Sequence, residues 1–219
     1  MDKYKDMQCV FEANADEANA IAMSKYMKDN FDFYGIPAPV RKKLYKDFLK
    51  AEKKVQKIDW EFLDQCYEDE HREFQYLVYD YLLALKQYVN YEDIDKIKNY
   101  VITKPWWDTI DYLCKVIGAV ELRDTKVKEL MEVWSAHDNI WIKRTAIQHQ
   151  LGLKERTDSI LLAKIVLNSL GSDEFFVNKA IDWALREYSK IEPKWVQDFI
   201  DKYKDKMSPL TIKEASKYI

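Results

Sequence analysis

Pro105-Trp106-Trp107-Asp108-Thr109-Ile110-Asp111 is the stretch on which the fold turns. Proline lacks a backbone N–H and has a fixed φ, so it suits the start of a helix and marks one here. Reading outward, a large apolar residue heads a new helix at nearly constant intervals. These residues are Phe74, Trp107, Trp141, Phe176 and Leu210, spaced 33, 34, 35 and 34 apart. A period near 34 holds two helices. One such pair cannot bury its own apolar face, so successive pairs must stack into an α-solenoid. The expected fold class is therefore all-α, a solenoid of helical repeats whose second helices line a concave binding face. No Gly-, Ser- or Pro-rich linker interrupts it, and residues 1–219 read as a single domain.

Composition agrees. Only 4 Gly and 5 Pro occur in 219 residues, while 47% of the chain is hydrophobic and 33% charged, the balance of a folded helical protein. Helices are expected near 2–12, 15–30, 38–53, 59–68, 70–88, 91–103, 106–120, 124–136, 140–153, 158–169, 173–190, 192–205 and 208–218. Asp16, Asp59, Asp124, Asp138 or Asn139, Asp158, Asp173 and Ser208 stand where N-caps belong. Residues 31–39, rich in aromatics and proline, read as a rigid loop.

Several function classes fall away. Cys9, Cys66 and Cys114 form no CxxC pattern, which points to a reducing compartment and away from disulfide frameworks or zinc. His71, His137 and His149 lack ligand spacing to carboxylates, so neither metal nor cofactor is expected. No apolar run approaches a membrane span and the N-terminus lacks a signal core, so a cytoplasmic monomer is expected. Net charge is −3, but residues 139–219 carry 14 basic and 11 acidic side chains, compatible with one local anion-binding face.

Chemistry concentrates at three places. Trp107 and Asp111 are four apart and share one face of their helix, where an indole beside a lone carboxylate suits a cationic group. A packing reading is as simple: Trp107 in the core, Asp111 in water. Trp106 and Trp107 diverge by about 100° and cannot both fill one apolar stripe, so one packs and the other faces the groove. Lys143 and Arg144 follow Trp141 at a helix start, where the dipole disfavours cations unless an anion binds. An outward charged face is the alternative. The third place joins Phe175 and Phe176 to Lys179, Trp183 and Arg186; Trp183 and Arg186 are three apart and can reach a common site.

At these residues the chain resembles the AlkD family of DNA alkylation-repair glycosylases, which are built from HEAT-like repeats. The resemblance rests on Tyr26-Met27-Lys28, Phe33-Tyr34-Gly35-Ile36 with Pro39 and Arg41, and Trp106 through Asp111. It continues through Trp141 to Ile147, Phe175 to Ile181, Trp183 to Lys190, Leu210-Thr211 and Glu214-Ala215. It implies hydrolysis of the N-glycosidic bond of cationic N3- and N7-alkylated purines in duplex DNA, without a flipped base. It implies Asp111 as the catalytic carboxylate and Trp107 and Trp183 as flanking walls. Arg144 and Arg186 would hold the DNA backbone, with Lys143, Lys179 and Trp106 beside them and Tyr26 near the opposite strand. Pro37 and Ala38 stand where a polar residue can occur, and Asp182 where glycine is common. No lysine is placed for a Schiff base, so no lyase step is expected. The competing readings are a non-catalytic repeat module binding nucleic acid or protein, and a scaffold with no DNA role.

Overall fold

Fourteen α-helices and no strand occur among residues 2–219, which the computed structural model describes. The chain is all-α, as the breaker-poor sequence demands. Its backbone contacts divide it into two compact units, Met1–Tyr88 and Val89–Ile219.

The first unit holds α1 (Lys3–Glu12), α2 (Glu17–Tyr26), α3 (Ala38–Leu44), α4 (Lys46–Val55), α5 (Trp60–Glu68) and α6 (Arg72–Ala84). The single helix expected over 38–53 is two. The break falls at Tyr45 (φ −103°, ψ 12°), which is no helix breaker. Tertiary contacts make it: Arg41 donates to the hydroxyls of Tyr45 and Tyr79, and the Tyr45 hydroxyl donates to Asp80. Beyond the break, Phe48 packs edge-on against Phe62. The helix expected over 15–30 ends at Tyr26, and Lys28 and Asp29 take positive φ.

The loop at 31–37 is organised by Glu73, in the first turn of α6. Its carboxylate accepts the backbone N–H groups of Tyr34, Gly35 and Ile36 at 2.9–3.1 Å. Those groups would otherwise be buried without partners. Gly35 is required on two counts. Its φ is +85°, and a Cβ there would lie 2.1 Å from the Asp16 carbonyl oxygen. Tyr34 stacks on His71 at 3.8 Å.

The second unit holds α7 (Ile94–Ile102), α8 (Trp107–Glu121), α9 (Lys126–Ser135), α10 (Ile140–Gln148), α11 (Ser159–Ser169), α12 (Phe175–Ser189), α13 (Pro193–Tyr203) and α14 (Pro209–Ala215). Here the 34-residue period is visible in space. Helices α8, α10, α12 and α14 begin one repeat apart and pack in succession, and α8, α10 and α12 also pack against helices of the alternating set α7, α9, α11 and α13. Ile110, Leu113, Ile117, Ile147, Val177 and Ile181 fill this layer, each contributing about 1.5–3 kcal/mol by leaving water. Gly118 sets the approach of α8 to the end of α10: a Cβ would meet the His149 carbonyl oxygen at 1.9 Å. Of the expected caps, Asp16, Asp59, Asn139, Asp158 and Ser208 accept first-turn N–H bonds. Asp173 does not; Glu174 occupies the N-cap position of α12 without a side-chain bond.

Candidate active site

The site grows from the N-terminal halves of α8, α10 and α12. Pro105 delivers the chain to Trp106, whose extended backbone (φ −161°, ψ 159°) makes it the N-cap residue, and Trp107 is the first helical residue. The two indoles therefore diverge, as expected. Trp106 turns inward, 5.8 Å from the Trp141 ring and 5.2 Å edge-on from Phe176; Trp141 and Phe176 lie 4.9 Å apart. This ladder joins three consecutive repeats, each pair adding about 0.5–1.5 kcal/mol beyond area burial. Trp106, the residue expected to touch DNA, is a half-buried rung of it. Its ring is occupied by neighbours on the next two repeats.

Asp111 lies one turn beyond Trp107, 8% exposed. Arg144 on α10 reaches it with two donors, Nη2 at 2.7 Å and Nε at 3.2 Å, both to Oδ1. Gln148, one turn further along α10, also donates to Oδ1 at 2.9 Å and accepts from Arg144 at 3.1 Å when its amide is oriented to suit both neighbours. The side chain of Asp111 keeps 11% exposure, and every hydrogen bond it receives lands on Oδ1, so Oδ2 is left for a visitor. Burial pushes the Asp111 carboxyl above the ordinary carboxylate range, against the opposing pull of Arg144 and Gln148. Cys114, one turn along α8, is fully enclosed. Burial pushes its thiol up to about 12, so it is an inert packing group.

Arg144 is the residue expected to hold the DNA backbone. It is 4% exposed, and its remaining Nη1 donates to the Phe176 carbonyl at 2.7 Å, at the first turn of α12. With its donors spent on Asp111, Gln148 and Phe176, it has no edge left for a bidentate phosphate. Its work is to tie α8, α10 and α12 together and to aim Asp111.

Trp183, two turns into α12, is half-buried and makes no ring contact or hydrogen bond among the described residues. Its indole differs in this from the packed Trp106 and Trp141. Trp107 is also half-buried. The expected cations divide. Lys143 is half-buried and has no ion-pair partner among the described residues. Lys179 is held by Asp182 at 3.2 Å and Arg186 by Glu214 at 2.6 Å, so each already faces a carboxylate. Asp182 is 2% exposed, with Oδ1 unpartnered. Tyr26 belongs to the other unit, 71% exposed at the end of α2, beside Met23, Phe33 and Tyr76. No group of three or more His, Cys, Asp or Glu among the described residues is placed to hold a metal ion, and no helix is long and apolar enough to cross a membrane.

Gln148 escaped the sequence reading. The signal was present: it lies four residues after Arg144, on the same face of α10.

A family model described as DNA alkylation repair enzyme matches residues 7–219. The chain belongs to that family. Among solved structures, this DNA alkylation repair family member is similar to a protein from Enterococcus faecalis described as a predicted DNA alkylation repair enzyme. The two are 35% identical, over 94% of this chain and 96% of that one, with a TM-score of 0.82. No curated protein matches. Family and fold thus agree, and a role in repairing alkylated DNA follows for this repair protein.

Proposed function

We propose that this protein is a monofunctional DNA glycosylase that hydrolyses the N-glycosidic bond of cationic alkylated purines in duplex DNA. The observation that carries this reading is Asp111. A carboxylate is taken out of water, three donors are fixed on one of its oxygens, and the other is left uncommitted. Such an arrangement costs folding free energy and is hard to explain as packing, because a leucine would fill the place without the desolvation.

The chemistry suits that group. N3- or N7-alkylation makes the purine a cation, so it leaves as a neutral base with the bonding electron pair and needs no general acid. Positive charge moves to the deoxyribose as the bond lengthens. The Oδ2 of Asp111 stabilises that charge, and burial strengthens the attraction by excluding water. A water oxygen then bonds to C1′ and passes its proton to Asp111 and on to solvent. Trp107 and Trp183 offer indole faces to the cationic sugar, worth about 0.5–2 kcal/mol each. Arg144 and Gln148 keep Asp111 aimed and ionised.

The test measures free 7-methylguanine and alkali-labile abasic sites from methylated duplex. Wild type is expected to release the base; Asp111→Asn is expected to bind the same duplex and release almost none. Equal release by both removes Asp111 from the chemistry. Binding without release by wild type makes the protein a non-catalytic helical-repeat module.

A further inference from the structure

Of the four cations expected on α10 and α12, three already hold a carboxylate, Arg144, Lys179 and Arg186, and only the half-buried Lys143 is unpaired among the described residues. Unit one carries a dense run of positive charge. Residues 41–57 contain eight basic side chains against two acidic, a local +6 on a chain of net −3. Glu52 is one of those acids. It is buried and bonded to Lys3 and Tyr81, so it does not neutralise the surface.

The structure orders this charge. Lys46, Lys50 and Lys53 fall at i, i+4 and i+7 and so share one face of α4, with about 5–6 Å between successive Cβ atoms. All three are exposed, and none has an ion-pair partner among the described residues. They rim a groove floored by Tyr45, Leu49 and Ala84. Asp80 also lines the groove, but its charge is taken by Lys42 at 3.5 Å and by the Tyr45 hydroxyl at 2.5 Å. The exposed Asp47 is the one uncompensated acid on α4.

We propose that this lysine-rimmed groove of α3 and α4 binds the sugar–phosphate backbone of duplex DNA and supplies much of the protein's sequence-independent affinity. The chemistry is complementary in both parts. Unpaired ammonium groups on flexible stems meet phosphates as point charges, and the apolar floor meets deoxyribose. A strand with one phosphate per 3.4 Å or so offers a partner to every lysine of the row. The proposal rests on DNA being the partner, not on the glycosylase reading.

The experiment titrates undamaged fluorescent duplex against salt by anisotropy, using the full chain. It compares wild type, the triple variant Lys46→Gln/Lys50→Gln/Lys53→Gln, and the control triple Lys202→Gln/Lys204→Gln/Lys206→Gln. Each phosphate contact adds about 0.9 to the slope of log affinity against log salt, so the α4 triple should lower the slope by about 2 to 3, and the control should not. Affinity at low salt should fall by at least tenfold. An α4 triple with wild-type slope and affinity overturns the proposal. So does an unchanged DNA slope together with lysine-dependent binding of wild type to phosphatidylserine vesicles, which assigns the groove to a lipid surface. Circular dichroism melting shows that the exposed substitutions leave the fold intact. Methylpurine release with an unchanged slope removes this proposal alone. Loss of slope in a protein that never releases base removes the glycosylase reading alone.

Discussion

Glu73 and Asp111 are both acids buried near helix starts, and they are used in opposite ways. Glu73 is fully enclosed. Three backbone N–H groups occupy both of its oxygens, and the result is a rigid loop from Tyr34 to Ile36. Asp111 is nearly as buried, yet its donors crowd onto one oxygen and the other is left over. The difference is accounting of lone pairs. A buried carboxylate with every acceptor site filled is a structural element, because nothing further can be gained by bringing a ligand to it. One with a vacant oxygen at the edge of solvent retains desolvation cost that a cationic partner can relieve.

The largest expected effect separates the two directly. Asp111→Asn should cut single-turnover excision of 7-methylguanine by about 10²–10³-fold, the scale of losing one preorganised electrostatic group, while DNA affinity holds. Quench-flow with base release as the readout checks it.

The counterpart is Glu73→Ala. It orphans three N–H groups at about 1–3 kcal/mol each, so a loss of at least about 3 kcal/mol is expected, a melting point lower by roughly 10 °C. The folded fraction should excise at the wild-type rate. A Glu73 variant that melts normally, or that loses chemistry instead of stability, would break the contrast.

Gly118→Ala sharpens it from the scaffold side. A methyl group 1.9 Å from the His149 carbonyl must push α8 from α10, with a cost of about 1–3 kcal/mol. Arg144 and Asp111 lie on those same helices, so stability and excision should fall together. Undiminished excision would show that the pair tolerates a shift of its helices.

The smallest effect concerns pH. Asp111 is raised by burial and held down by Arg144 and Gln148. Gln148→Leu removes one of the opposing donors, so the acid limb of the excision profile should move to higher pH, by about half to one unit. The stability sign runs the other way from the usual acid. A raised folded pKa means that Asp111 favours folding most below about pH 4, and that this contribution is lost as pH rises through the folded pKa. Asp111→Asn has no such loss, so its melting point should gain on that of wild type over the same interval. Thermal melts from pH 3 to 8 read this directly; parallel curves for the two proteins would contradict the raised pKa.

Much of this was legible from residues alone. The interval between Phe74, Trp107, Trp141 and Phe176 is a one-dimensional record of stacked helix pairs, since each repeat contacts mainly its neighbours and must present its apolar face at the same phase. The breaks were less visible. Tyr45 carries no local signal for ending α3, because Arg41, Tyr79 and Asp80 impose it from elsewhere in the unit. The cations were the least visible. Arg144, Lys179 and Arg186 look like phosphate ligands in a linear chain, and only their contacts show three of them facing carboxylates.

The sequence by itself thus determined the helical repeat, the caps of five of its helices and the pairing of Trp107 with Asp111 on one face. Each follows from periodicity and from interactions within about one turn. Only the tertiary structure decided which indole packs, which charges are neutralised and which oxygen of Asp111 is left over. Those outcomes depend on residues a whole repeat apart, and hydrogen-bond partners 33 positions away leave no trace in local spacing.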